Sequence, residues 1–259
     1  MGKRQVFTIA DEDFIHFLSR IDNSFKEEGI NYALVGGVAN QAYIAKSLCA
    51  RHNADLATLA FDSDVRLQDH LRATDDVDMI LSMNSPDEIA TAHRIYGVLD
   101  KIVGEGEFIS PTGNHIVYVN LKRKGHSKPQ FILGVDNPDQ YRLVALNLNR
   151  NPRKNIHDPA LVEFETAYFN EFMGSKQEVE IPYTPSFNAK LSVISPAALL
   201  ATKIARKRPK DIMDAYTLVN HFKESGMQVP YNEVERLLKA RGETLFQRYE
   251  RFRDMEESS

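Results

Sequence analysis

Two aspartates, Asp76 and Asp78, stand one residue apart where the chain enters the apolar run Met79-Ile80-Leu81. The run predicts a buried β-strand, on which successive side chains lie on opposite faces of the sheet. We therefore expect Asp76 and Asp78 on one face, and Val77 and Met79 on the other, in the core. Two carboxylates this close repel each other, and a divalent cation between them relieves the repulsion. Such oxygen ligands suit Mg²⁺, whose remaining positions are usually filled by nucleotide phosphates.

The competing interpretation of this motif is an exposed, Asp-rich turn, because isolated D-x-D sequences are common on protein surfaces. The setting of Asp76 and Asp78 favours a metal site, since the carboxylates lead directly into a strand rather than into polar residues.

A second feature is the pair Gly36-Gly37, which separates a predicted short strand at 32–35 from a predicted helix at 38–48. Glycine removes the side chain that would keep a phosphate from the backbone, and a helix N-terminus supplies partial positive charge. On its own the pair is equally compatible with a tight turn. Followed by the D-x-D strand, it predicts phosphate-binding backbone beside metal-binding carboxylates, the arrangement that nucleotidyl transfer requires.

The sequence predicts both strands and helices in the first part of the chain and helices alone in the last part. A strong helix start lies at residues 85–88, and strands are predicted at 116–119, 131–133, 143–146, 162–168 and 179–183. Ser195-Pro196 then begins a wholly helical portion. We expect an α+β protein with a mixed sheet and flanking helices over residues 1–192, followed by a helical domain over residues 193–259.

Composition narrows the class of protein. Of the 259 residues, 42% are apolar and 26% charged, which is ordinary for a globular chain, and the formal charge of −4 indicates no partner by itself. Cys49, the only cysteine, excludes an intrachain disulfide and is expected to be a packing residue. We found no signal-peptide pattern, no membrane span and no HExxH, G-x-S-x-G or P-loop motif, so we expect a cytoplasmic protein without membrane partners.

The glycine and aspartate motifs together resemble a known family. Leu34-Val35-Gly36-Gly37-Val38-Ala39 and Arg72-x-Thr74-x-Asp76-Val77-Asp78 are similar to the signature of the nucleotidyltransferase fold, specifically its AbiEii-like branch of type IV toxin–antitoxin nucleotidyltransferases. A second similarity, to the lysine and basic-Asp helical motif of that branch, is carried by Ile194-Ser195-Pro196, Leu199-Leu200, Lys203, Arg206 to Arg208, Lys210-Asp211 and Asp214.

The resemblance implies transfer of a nucleoside monophosphate from an NTP to an acceptor hydroxyl, with release of pyrophosphate. It implies that Asp76 and Asp78 hold two Mg²⁺ ions and that Lys203 reaches the triphosphate. The nucleotide-binding set it implies is Gly36, Gly37, Arg72, Thr74, Lys210 and Asp211. Many such proteins are toxins or phage-defence components paired with an antitoxin, some modify tRNA ends, and others in the wider fold adenylylate antibiotics or proteins.

The chain departs from the family pattern in two places. The third catalytic and metal-binding carboxylate has no obvious position: Glu163 is favoured, Glu165 is next, and Asp136 is a rival although 136–139 has the composition of a turn. Without a third carboxylate the protein would bind nucleotide and not turn it over. Residues 50–71 form an apparent insertion that would either cap the site or select the acceptor.

Several basic residues have two interpretations. Lys203 could lie on a solvated helix face, and Lys210 and Asp211 could form a local ion pair, with Asp214 supporting Lys203. Three basic clusters could follow an RNA backbone or could be ordinary loop ends: Lys122-Arg123-Lys124, Arg150 with Arg153-Lys154, and Arg206-Lys207-Arg208. RNA, such as tRNA, is therefore the acceptor that we expect.

Overall fold

The computed structural model describes residues 7–74, 76–81, 94–95, 97–98, 106–109, 117–121, 130–137, 141–147 and 171–258. For Asp76, Leu81 and the strands between residues 106 and 147 it describes the backbone alone. The predicted helix start at 85–88, the predicted strand at 162–168, Glu163 and Glu165 lie outside the described residues.

Helices and strands are mixed in the first part of the chain, and helices alone follow β8. The helices are α1 (Glu12–Glu27), α2 (Gly36–His52), α3 (Leu56–Phe61), α4 (Leu67–His70), α5 (Pro196–Arg206), α6 (Pro209–Glu224), α7 (Tyr231–Lys239) and α8 (Glu243–Glu257). The strands are β1 (Tyr32–Leu34), β2 (Asp76–Leu81), β3 (Gly106–Ile109), β4 (Val117–Leu121), β5 (Gln130–Asn137), β6 (Tyr141–Asn147), β7 (Gln177–Thr184) and β8 (Phe187–Val193).

The strands form one mixed sheet in the order β3-β4-β5-β6-β2-β1-β8-β7. The pair β1/β8 is parallel, and the other neighbouring pairs are antiparallel. The parallel pair lies in the four-stranded part β2-β1-β8-β7, which carries both candidate motifs. The α+β class expected from the sequence is confirmed, whereas β3 and β8 had not been individually predicted.

The D-x-D segment is a strand, as its apolar run predicts. Val77 and Met79 are fully buried, and the carboxylate-bearing Asp78 is half-buried on the other face. The strand β2 lies between β1 and β6, so it is an interior strand of the sheet. The expected division between a core face and a carboxylate face is therefore confirmed for these residues.

Helix α1 is fixed to the sheet by a buried carboxylate. Asp22 accepts hydrogen bonds from the Tyr32 hydroxyl on β1 and from the Ser192 backbone N–H on β8, the latter at 2.8 Å. Lys26 contributes an ion pair at 2.6 Å. Since a buried carboxylate is costly without partners, these contacts set the position of α1 across two neighbouring strands.

Part of the insertion at 50–71 lies at the edge of the sheet opposite the strands that follow β2. Its helix α3 contacts α2 and the edge strand β7, which is three strands from β2. Asp55 caps α3 by accepting a hydrogen bond from the Thr58 backbone N–H at 2.8 Å. Helix α3 therefore covers the β7 end of the sheet.

The C-terminal helices pack on one another and on the α/β part. Ser195 caps α5 by accepting a hydrogen bond from the Ala198 N–H, and Pro196 occupies the first turn, as predicted. Helix α6 packs against α2, where the Ser47 hydroxyl donates a 2.8 Å hydrogen bond to the His221 carbonyl. Among the helices of the described residues, none combines the length and apolarity needed to cross a membrane.

Candidate functional site

Gly36 lies where β1 turns into α2, in direct contact with the Asp78 side chain. Its φ is +65°, in the left-handed region that favours glycine, and an added Cβ would stand 2.7 Å from Asp78 Oδ2. The Val35 N–H also donates to the Asp78 carbonyl at 3.0 Å. Both the backbone conformation and the close approach of the carboxylate therefore require glycine at this position.

Gly37 lies against the segment that precedes β2. An added Cβ at Gly37 would stand 3.4 Å from Thr74 Oγ1 and 3.9 Å from Arg72 Nη2. The first turn of α2 thus meets Asp78 through Gly36, and Thr74 and Arg72 through Gly37. The structure brings together five of the residues that the sequence placed in one site.

The sheet register locates Asp76 relative to this group. Asp76 begins β2 and pairs with Asn147 on β6, two positions along the strand from Asp78. Residues two apart on a strand share a face, so the backbone places Asp76 on the same face as Asp78. Of the two expected metal ligands, Asp78 thus lies beside the N-terminus of α2, and Asp76 occupies a position on the same face of β2.

A buried ion network joins this segment to the C-terminal helices. Arg72 donates two hydrogen bonds to Asp214, Nε to Oδ1 and Nη2 to Oδ2, each at 2.8 Å. Lys203 Nζ donates to Asp214 Oδ2 at 2.7 Å. The Lys203 and Asp214 side chains are only 4% and 5% exposed, so Lys203 does not lie on a solvated helix face. Two cations share one carboxylate, and one of them, the Arg72 guanidinium, also approaches Gly37.

Burial and ion pairing shift the pKa values of Lys203 and Asp214 in opposite directions. Burial lowers the pKa of Lys203, and the charge of Asp214 opposes that shift only in part. Burial alone would raise the pKa of Asp214, but hydrogen bonds from Arg72 and the charge of Lys203 outweigh it and lower that pKa. Asp214 is therefore ionised at neutral pH and holds both cations in place.

Lys210 and Asp211 do not form the local pair that their proximity in the sequence allows. Asp211 is buried and accepts hydrogen bonds from Arg208, through Nε at 2.5 Å and Nη2 at 3.2 Å. Lys210 is exposed in the first turn of α6. The acidic residues Asp211 and Asp214 are thus held by different cations from the same basic motif.

The structure also includes Gln41, which the sequence analysis did not select. Gln41 is buried on α2, and its Nε2 donates to the Arg72 carbonyl at 2.9 Å. The only signal in the sequence is a polar residue one turn after Gly36-Gly37 on a helix that is otherwise largely apolar. Such a residue has several possible partners, so its role depends on the tertiary structure.

Of the three candidates for the third carboxylate, only Asp136 lies among the described residues, and the register locates it. On β6, Asn147 and Ala145 stand opposite Asp76 and Asp78, so the described part of this neighbouring strand provides no carboxylate there. Asp136 lies within β5 and not in the expected turn, six residues beyond Gln130, the partner of Asn147. Six residues span about 20 Å, so Asp136 is at the far end of the sheet.

The structure describes one of the three basic clusters and the side chain of one of the two expected metal ligands. Lys122-Arg123-Lys124, Arg150 and Arg153-Lys154 lie outside the described residues, whereas Arg206-Lys207-Arg208 connects α5 to α6. The described side chains contain no group of three or more His, Cys, Asp or Glu residues that could hold a metal ion. Asp76, whose side chain is outside that set, is one of the two expected ligands.

No protein-family model matches the chain, and no curated protein matches it in sequence. The motifs and the geometry of the described residues therefore carry the functional argument.

Proposed function

We propose that the chain is a Mg²⁺-dependent nucleotidyltransferase of the AbiEii-like branch of the nucleotidyltransferase fold. It would transfer a nucleoside monophosphate from an NTP to an acceptor hydroxyl. The observation that carries this proposal is the packing of Gly36 and Gly37 against Asp78, Thr74 and Arg72. A helix N-terminus, a cation and a carboxylate meet there without an intervening side chain.

The triphosphate is assigned to the first turn of α2. A 17-residue helix presents its positive end at Gly36, and Val35, the residue before it, has no side-chain oxygen to occupy the free N–H groups. The Arg72 guanidinium, which approaches Gly37, adds to this attraction. Negatively charged phosphates match both features.

Asp76 and Asp78 are the residues assigned to hold Mg²⁺. Their oxygens are hard ligands, and the missing Cβ at Gly36 leaves Asp78 next to the phosphate-binding backbone. When bound, Mg²⁺ would neutralise charge on the triphosphate and favour ionisation of the acceptor hydroxyl. The protein residues would hold the α-phosphate in line with that hydroxyl. Glu163 is the third carboxylate that we propose.

RNA, with tRNA as the leading member, is the acceptor that we propose, in a toxin or phage-defence protein acting in the cytoplasm with a cognate antitoxin. The basic clusters of the sequence support this choice. Filter binding over a salt series tests it: affinity for tRNA should fall steeply with salt, and affinity that is absent at low salt would contradict it. A small molecule or a protein is the alternative acceptor.

A second candidate is a nucleotide-binding module without turnover. Asn147 and Ala145, rather than a carboxylate, occupy the β6 positions opposite Asp76 and Asp78. Such a module would bind NTP with Mg²⁺ and transfer nothing.

Equilibrium binding tests the nucleotide site that both candidates share. Calorimetric titration with a non-hydrolysable NTP should show binding that requires Mg²⁺ and is lost in Asp78→Asn. Binding by Asp78→Asn equal to that of the wild type would contradict the assignment of the metal ligands. Growth arrest on expression, abolished by Asp76→Ala, would then distinguish a toxin from a housekeeping enzyme.

A further inference from the structure

Gln41 uses both ends of its amide to connect three parts of the chain. Its Nε2 donates to the Arg72 carbonyl at 2.9 Å, and its Oε1 accepts from the Ile9 N–H at 2.6 Å. The side chain is 2% exposed, so water cannot replace either hydrogen bond at low cost. A residue of α2 thus links the segment before α1 to the segment before β2.

A second connection lies next to the first. Phe7 and Thr74 exchange two backbone hydrogen bonds of 2.8 and 2.9 Å, and the Phe7 ring stacks on Phe14 of α1 at 5.5 Å between centroids. The chain from Arg72 to Thr74 is therefore held on one side by residues 7–9 and on the other by α2.

These contacts fix the position of residues 72–74, the part of the proposed phosphate site that lies outside α2. Thr74 Oγ1 and Arg72 Nη2 both approach Gly37, and Gln41 lies one turn further along the same helix. The Arg72 carbonyl that Gln41 holds belongs to the residue whose guanidinium is bound to Asp214. The main chain of Arg72 is therefore anchored from α2 and its side chain from α6.

We propose that Gln41 is a positioning residue for the nucleotide phosphates, acting through Arg72 and Thr74. The inference rests on the proposed nucleotide site and adds a residue outside the motifs that define it. Loss of the Gln41 hydrogen bonds would let the 72–74 segment shift relative to Gly37, and misplacement of a binding group weakens the bound state. We expect nucleotide affinity to fall about tenfold, the change that one lost buried hydrogen bond produces.

Two substitutions separate the two hydrogen bonds of Gln41. Gln41→Met keeps the length of the side chain and removes both hydrogen bonds. Gln41→Glu, studied at a pH high enough to ionise the buried carboxyl, still accepts from Ile9 but cannot donate to Arg72, whereas its protonated form could donate. Ser47→Ala is the matched control, because it removes a buried hydrogen bond of the same helix, to the His221 carbonyl, away from the site.

The measurement is calorimetric binding of a non-hydrolysable NTP with Mg²⁺, together with the melting temperature and the KM values for NTP and acceptor. We expect both Gln41 variants to bind NTP about tenfold more weakly and to raise the KM for NTP but not for the acceptor. Ser47→Ala should lose stability but keep its affinity for NTP.

The outcomes are distinguishable. NTP binding by both Gln41 variants at wild-type strength would overturn the inference and leave the proposed function intact. Equal weakening in Ser47→Ala would also overturn it, because the effect would then be general destabilisation. Absence of NTP binding by the wild type would reject both proposals. If Gln41→Met does not fold, Gln41→Glu, which retains the Ile9 contact, decides the question.

Discussion

Arg72 and Asp214 are 142 residues apart in the sequence and are joined by two hydrogen bonds of 2.8 Å in the structure. Arg72 precedes the D-x-D strand, and Asp214 lies on α6. Asp214 also holds Lys203, so the lead-in to β2 and two C-terminal helices share one ion network. The candidate phosphate site therefore includes Arg72 from the first part of the chain, and the helical part contributes Asp214, which holds Arg72, and Lys203.

Removal of Asp214 should be far more harmful than removal of Lys203. Asp214→Ala leaves two cations without their shared anion, and breaking a buried pair costs about 3–5 kcal/mol. Lys203→Met leaves Asp214 with both hydrogen bonds from Arg72, so we expect a smaller loss. Urea unfolding measures the free energies of both variants. Equal losses would show that Arg72 does not stabilise Asp214 on its own.

Alanine substitutions at three glycines separate backbone strain from steric contact. Gly36→Ala combines a positive φ with the 2.7 Å approach to Asp78, so it should lose nucleotide binding and stability. Gly29 has a φ of +64° but nothing within 4 Å of an added Cβ, so Gly29→Ala should cost about 1–2 kcal/mol and leave binding unchanged. Gly37→Ala, with a nearest contact of 3.4 Å, should have an intermediate effect on binding.

Thermal unfolding and NTP titration of the three glycine variants provide the comparison. Loss of NTP binding in Gly29→Ala as severe as in Gly36→Ala would mean that strain alone explains the requirement for glycine. Wild-type binding by Gly36→Ala would contradict the close packing of α2 against Asp78.

Local patterns in the sequence predicted much of this site. Alternation of polar and apolar residues placed Val77 and Met79 in the core, and the Gly36-Gly37 pair marked the start of α2. Asp214 was suggested from the sequence as support for Lys203, and the structure shows this pair. The pairing of Arg72 with Asp214 depends on how α6 packs against the rest of the chain, which no local pattern encodes. Gln41 was missed for the same reason. Asp136 was predicted to lie in a turn because Asn, Pro and Asp dominate its neighbours, yet it lies within β5, at the register irregularity between Gly134 and Asn137.

The third carboxylate can be identified by three conservative substitutions. We expect Glu163→Gln to reduce transfer by at least about 10²-fold, in line with the loss of a group that stabilises the transition state. Asp136→Asn should retain wild-type transfer, because Asp136 is at the opposite end of β5 from the partner of Asn147. Rates of label transfer at saturating NTP measure the difference. Loss of activity only in Glu165→Gln would instead assign the third carboxylate to Glu165.

His221 should make the fold sensitive to mild acid. Burial, and then the positive charge of His70, lower the pKa of His221 from 6.5 to about 4. Between these pH values the unfolded chain binds the proton and the folded chain does not. The contribution of neutral His221 to the free energy of unfolding is therefore fully present above pH 6.5 and is lost as the pH drops from 6.5 towards 4. Glu224 and Arg51 are the other charged groups that act on the ring.

His221→Phe is the variant that isolates this contribution, because it keeps an aromatic ring and cannot titrate. Urea unfolding at pH 7.5 and pH 5 should show a smaller loss of stability in His221→Phe than in the wild type. An identical loss in both proteins would assign the acid sensitivity to other groups, such as carboxylates.

Transfer of label from each α-³²P-labelled NTP in the presence of Mg²⁺ and total RNA is the most direct test of the central claim. Purified wild-type protein is compared with Asp76→Ala/Asp78→Ala, and RNA, protein and small-molecule fractions are all counted. Label on RNA with the wild type alone is the result that we predict, and it identifies the donor and the acceptor class together. Mg²⁺-dependent NTP binding without label in any fraction would contradict nucleotidyl transfer and favour the non-catalytic module.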